Sequence, residues 1–116
     1  MSQVAIDMIL PIKKKWFDMI RSGEKKEEYR KMSHYYGSRL NRIVGTTSFS
    51  EVLYEHAKSD PFVVLFRNGY SRQSPSFIAE VTVHRGYGKE EWGAIQGEEY
   101  YVFDILAMEE EMESNR

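Results

Sequence analysis

The chain predicts an α+β fold: a curled antiparallel sheet or small barrel with two or three short helices packed on it. Three observations carry this. Helical spacing of apolar residues is confined to the first half. The strongest alternation of period two lies in the second half. The late strands are joined by loops too short for helical crossovers, so they pair antiparallel. At 116 residues the sequence has room for one core. It reads as a single domain over residues 1–108 with an acidic tail, Glu109–Arg116.

Val4 to Leu10 alternates as a strand, and Pro11 is expected to break it. From about Lys13 to Ser22 the chain reads as a helix, with Ile12, Trp16, Met19 and Ile20 toward one side and Lys13, Lys14, Lys15 and Arg21 toward solvent. Gly23 suits the left-handed residue that ends a helix, and a short strand near Lys26–Arg30 follows. Ser33 is placed to cap a short helix carrying Tyr35, Tyr36 and Leu40, weakened by Gly37. Ser48 to Glu51 has capping-box spacing and opens a helix through about Lys58, which Asp60-Pro61 stops. Phe62 to Arg67 is a strand, and Asn68-Gly69 is a turn signal. Phe77, Ala79, Val81 and Val83 share one face of the next strand, opposite Ile78, Glu80, Thr82 and His84. Gly86-Tyr87-Gly88 turns the chain, and Tyr100 to Leu106 is the last strand.

Composition narrows the function classes. There is no cysteine, which removes disulfides, thiolate nucleophiles and Cys-ligated zinc, and suits a reducing interior. No long apolar segment opens the chain, so neither a signal peptide nor a membrane partner is expected, and the cytoplasm is the default location. His34, His56 and His84 have no metal spacing, so no metal or cofactor is expected. No G-x-S-x-G or phosphate loop occurs. The net charge of -2 hides an asymmetry: residues 1–43 carry ten Lys/Arg against five Asp/Glu, while the remainder is acidic. A basic half on an acidic whole is compatible with phosphate binding but is not the footprint of a general nucleic-acid binder.

The densest feature is Gly23-Glu24-Lys25-Lys26-Glu27-Glu28-Tyr29-Arg30, with six charges in eight residues. On an extended chain Lys26, Glu28 and Arg30 share one side, and Lys25, Glu27 and Tyr29 the other. An irregular turn after Gly23 would rotate Lys25 toward the first group. A carboxylate between two cations stays ionised, an Arg can take phosphate bidentately, and a Lys beside another cation can become a base. The competing reading is a solvated strand with exposed ion pairs of little worth. Nearby Tyr29, Tyr35 and Tyr36 lie among Arg30, Lys31, Arg39 and Arg42, a mixture that can stack bases and contact phosphates, or can pack inward. The Arg67-to-Arg72 loop, with Tyr70, is either an anion site or a plain hairpin connection. Trp92, flanked by Glu90, Glu91 and Gly93, either plugs the core or walls a pocket.

Gly23-x-Lys25-x-x-Glu28-x-Arg30 behind the Trp16–Ser22 helix resembles the signature of ASCH domains (activating signal cointegrator homology). Leu10-Pro11-Ile12-Lys13, Trp16-Phe17-Asp18-Met19-Ile20, Arg67-Asn68-Gly69-Tyr70, Glu91-Trp92-Gly93-Ala94 and Tyr100-Tyr101-Val102 are similar to other parts of that family, its short bacterial and phage-type members above all. The resemblance implies a PUA-like fold, a small and mostly antiparallel β-barrel with helices at its rim. It also implies a cleft beside the signature that binds RNA, a nucleotide or a nucleoside. Lys25 and Arg30 would contact phosphate or a base edge, Glu28 would hold Arg30 or accept from a base amino group, and Arg67, Tyr70 and Trp92 would wall the cleft. Some small members are amidohydrolases acting on acetylated cytidine, and some are reported as ribonucleases. In the amidohydrolases the signature Lys is the base and a Thr three residues later the nucleophile. Lys25 matches that Lys, but Glu28 stands at the Thr position, and a carboxylate is a poor substitute for a hydroxyl nucleophile. A hydrolase would use Lys25 as general base with Glu28 orienting it or a water; Glu90 and Glu91 are candidates for its remaining acid. A plain interaction module is the third reading.

Overall fold

A computed structural model describes residues 5–44 and 58–109. The first strand, β1, runs over Met8–Ile12 and buries Met8, Leu10 and Ile12 on one side. It begins at Met8 and passes through Pro11, the residue expected to break it. The reason is position: β1 is an edge strand, where a residue without an N–H breaks no sheet. Helix α1 (Lys14–Arg21) follows and buries Phe17 and Ile20. Gly23 ends it at φ 88°, with its N–H on the Ile20 carbonyl.

β2 covers Glu27–Lys31 and α2 covers His34–Val44, its entry held by the Ser33 hydroxyl accepting from the Tyr36 N–H. Gly37 does not weaken α2 at a free surface. It is buried, and a Cβ there would lie 3.2 Å from the Tyr101 hydroxyl, so the glycine lets the helix sit close to the sheet. The capping box at Ser48 and the helix after it lie outside the described residues, as does the tail beyond Glu109. β3 (Phe62–Asn68), β4 (Ser76–Tyr87) and β5 (Glu99–Met108) complete the sheet, with a single 3-10 turn at Glu90–Trp92 between the last two.

The strand order is β1-β3-β4-β5-β2. β3, β4 and β5 pair antiparallel, as their short connections predict, and β2 pairs antiparallel with β5. β1 lies parallel to β3, a non-local pairing. The five strands curl into a half-barrel with two helices. Its concave side is the core: Leu10, Ile20, Leu40, Phe66, Phe77 and Phe103 meet there, with Phe17 edge-on to Phe77 at 5.1 Å. Burying such side chains contributes about 1.5–3 kcal/mol each. The expected face of β4 (Phe77, Ala79, Val81, Val83) is the buried one. A second cluster, Ala94, Tyr100 and Val102 with Tyr29, covers the opposite side of β5 and β2. No helix among the described residues is long and apolar enough to cross a membrane.

An open curl leaves two strand edges, β1 and β2. One side chain spans them: Arg30 on β2 donates from Nη2 to the Pro11 carbonyl on β1 at 2.8 Å. The gap between the edges is where the charged run and the cleft lie.

Candidate functional site

Register decides which members of the charged run enter the half-barrel. Glu28 pairs with Phe103, a core residue, so Glu28 and Arg30 face inward, while Glu27, Tyr29 and Lys31 face outward. Lys25 precedes the strand, and the turn after Gly23 brings its ammonium back beneath Glu28. Lys25 is only 1% exposed and Glu28 6%. Lys25 Nζ donates to Glu28 Oε1 at 2.9 Å and to the Glu27 carbonyl. Arg30 grips the other carboxylate oxygen, Nη2 at 2.7 Å and Nε at 3.1 Å from Oε2.

The ammonium of Lys25 also lies 4.8 Å from the Tyr29 ring centre and 5.4 Å from that of Trp16. Burial pushes the Lys25 pKa below its usual value, and the adjacent Glu28 carboxylate only partly offsets that. Tyr29 donates to Glu27 Oε1 and accepts from the Lys89 N–H; burial, and then its carboxylate neighbours, raise its pKa.

Arg30 has little left to offer a ligand. A guanidinium has five N–H donors. Two go to Glu28, one to Pro11, and one from Nη1 to the Tyr36 hydroxyl at 2.9 Å. One Nη1 hydrogen remains beside that hydroxyl.

Above this triad lies a cleft of about 650 Å³, walled by Pro11 and Ile12 of β1, Trp16 of α1, Glu28 to Lys31 of β2, Tyr36 of α2 and the Asn68-Gly69-Tyr70 turn. Lys13, Lys14 and Lys31 stand at its rim, all exposed. Tyr70 is 88% exposed, so its ring is open to solvent beside the cleft. The turn is pinned at the cleft by the Gly69 N–H on the Ile12 carbonyl, at φ 104°. α1 begins here without a side-chain cap and without an acid in its first turn. Among the described residues Glu28 is the only carboxylate in the lining, and both its oxygens are occupied.

Of the expected residues, Glu28, Arg30 and Tyr70 line this cleft and three do not. Lys25 is sealed beneath it. Arg67 lies on the outward side of β3, because Phe62, Val64 and Phe66 take the inward positions. Its Nε is enclosed without a hydrogen-bond partner among the described residues. Trp92 is buried behind the site under Lys89, whose ammonium is 4.4 Å from its ring centre. The Trp92 turn instead backs Trp16: a Cβ on Gly93, at φ 103°, would come within 2.9 Å of the Trp16 ring. Glu90 and Glu91 are exposed and outside the cleft. The sequence reading missed Trp16 as a wall, having assigned it to the packed side of α1. The readable signal was an aromatic directly after three consecutive lysines. No group of His, Asp and Glu suited to a metal occurs among the described residues. Compared with models of protein families, with curated proteins and with solved structures, the chain has no significant match.

Proposed function

We propose that this is a binding domain for single-stranded RNA or a nucleotide, of the ASCH kind on a PUA-like fold, and that the gap between β1 and β2 is its ligand cleft. The observation that carries the reading is the pairing, at one opening, of exposed Lys13, Lys14 and Lys31 with the aromatic faces of Trp16 and Tyr70. Lysine ammoniums at a rim attract phosphate, and aromatic rings stack a base whatever its identity. The uncapped start of α1 adds partial positive charge on the same side. Glu28 and Arg30 serve this site chiefly by holding its two edges together. The remaining Arg30 N–H and the Tyr36 hydroxyl supply polar contacts to a base.

Cytidine monophosphate and a short single-stranded RNA, titrated separately into isotope-labelled protein, test this. We expect shifts at the Trp16 indole N–H, Gly69 and Tyr70, and none at Arg67 or Trp92. No saturable shift with either ligand, or shifts confined to the Arg67 face, would sink the reading.

Hydrolysis is supported by one observation, the lowered pKa of Lys25, because a neutral lysine is a base. Its burial and its bond to Glu28 argue for a structural role instead. Incubation with acetylated cytidine and with labelled RNA separates the two: turnover abolished by Lys25→Ala would establish hydrolysis, and the binding reading expects no turnover.

A further inference from the structure

We infer that the cleft holds one residue of a longer single strand, and that the next residue lies in a second groove on the far side of Tyr36. The inference rests on the reading of the cleft as a nucleotide site. The second groove, of about 480 Å³, runs between the outer edge of β1 and α2. Pro11 and Tyr36 line both hollows, so the two share one wall. Its apolar lining includes Ile6 and Ile9, which are 43% and 48% exposed, an open apolar surface directly beside the cleft.

Two guanidiniums, Arg39 and Arg42, line the same groove. Arg39 is already stacked, its guanidinium carbon 3.7 Å from the centre of the Tyr35 ring. Tyr35 in turn meets Tyr36 edge-to-face at 4.9 Å. A planar cation backed by an aromatic ring offers its other face to a base, and neighbouring Arg42 is placed for a phosphate. Among the described residues Asp7 is the one carboxylate in the lining, and its Oδ2 accepts from the Val63 N–H at 2.9 Å.

A peptide added as a strand fits this groove less well. β1 is the open edge, but Pro11 gives it no N–H at that position and Arg30 already takes the Pro11 carbonyl. A single strand of nucleic acid needs planar faces and cations in succession rather than a free backbone ladder.

Calorimetric titrations with cytidine monophosphate, the dinucleotide and the tetranucleotide of cytidine test the inference on the wild-type chain, Arg39→Ala, Arg39→Lys and Arg42→Ala. The expected result is a tetranucleotide affinity at least about tenfold above that of the mononucleotide. Arg39→Ala should erase most of that gain while leaving mononucleotide affinity as it was, and Arg39→Lys, which keeps the charge but loses the plane, should not restore it. Arg42→Ala should flatten the salt dependence of the tetranucleotide by about 0.7 in the log–log slope. Equal affinities for mononucleotide and tetranucleotide, or a gain indifferent to Arg39, would overturn the second groove and leave the cleft standing. No binding of any length would overturn both. A glutamate-rich peptide that binds through Arg39 where the tetranucleotide shows no gain would overturn the inference in favour of a protein partner.

Discussion

Two sets of charges lie within a few residues of each other and behave as opposites. Lys25, Glu28 and Arg30 are withdrawn from water and committed to one another. Lys13, Lys14 and Lys31 are exposed around the same opening. Buried charges are tolerated only when fully partnered, and once partnered they have little to give a ligand. Exposed lysines add almost nothing to stability, and Lys14, although it pairs with Asp18 at 2.6 Å, remains water-facing like the other two. In the proposed function, fold and binding are therefore divided between neighbours: Arg30 of the triad joins the β1 and β2 edges, and the rim and aromatic walls would meet the ligand.

The sharpest way to break this contrast is Glu28→Gln. It leaves Lys25 and Arg30 buried without a counter-charge, and should cost about 3–5 kcal/mol in denaturant unfolding. A cost within error of zero would mean that the triad does not hold the fold. On the other side, Tyr70→Ala should weaken RNA binding by about 1–3 kcal/mol. Because Tyr70 is almost wholly exposed, its removal should leave the unfolding free energy within about 0.5 kcal/mol of wild type. A large stability loss with unchanged binding would reverse the assignment.

Lys25 gives the contrast a pH signature. Its pKa is lowered on folding, first by burial, so its contribution to stability is complete above the unfolded value of 10.5 and is lost as pH falls through the folded value. The stability of wild type relative to Lys25→Met should therefore rise between pH 7 and about pH 10. A flat or falling difference would show that the Glu28 pairing outweighs burial. The smallest effect is expected at the rim, where Lys13→Ala or Lys31→Ala should each reduce the log–log salt slope for single-stranded RNA by about 0.7.

Much of the fold was legible because one-sided burial writes itself as periodicity. Phe77, Ala79, Val81 and Val83 announce the inner face of β4, and Gly23 announces the end of α1. The parallel pairing of β1 with β3 was not legible, because it joins residues more than fifty positions apart and leaves no local mark. Pro11 misled for a related reason: it bars a central strand, and only the strand order shows that β1 is an edge. The exclusion of Arg67 from the cleft was readable, since it alternates with Val64 and Phe66. The burial of Lys25 was not. Withdrawing a lysine from water is costly unless partners surround it, and here a carboxylate, a carbonyl and two aromatic rings converge on it from β2 and α1. The run of six charges thus marks β2 and the turn before it, and conceals that its members divide into buried and exposed.

In the proposed function the rim binds RNA while the triad holds the fold, a division of labour. It is tested most directly by titrating labelled single-stranded RNA into the Lys13→Glu/Lys14→Glu/Lys31→Glu variant at low salt, with its unfolding curve recorded alongside. The expected result is a near-wild-type unfolding midpoint and RNA binding lost by at least about 100-fold, in keeping with three phosphate contacts reversed in sign. Unchanged RNA affinity in this folded variant would contradict it.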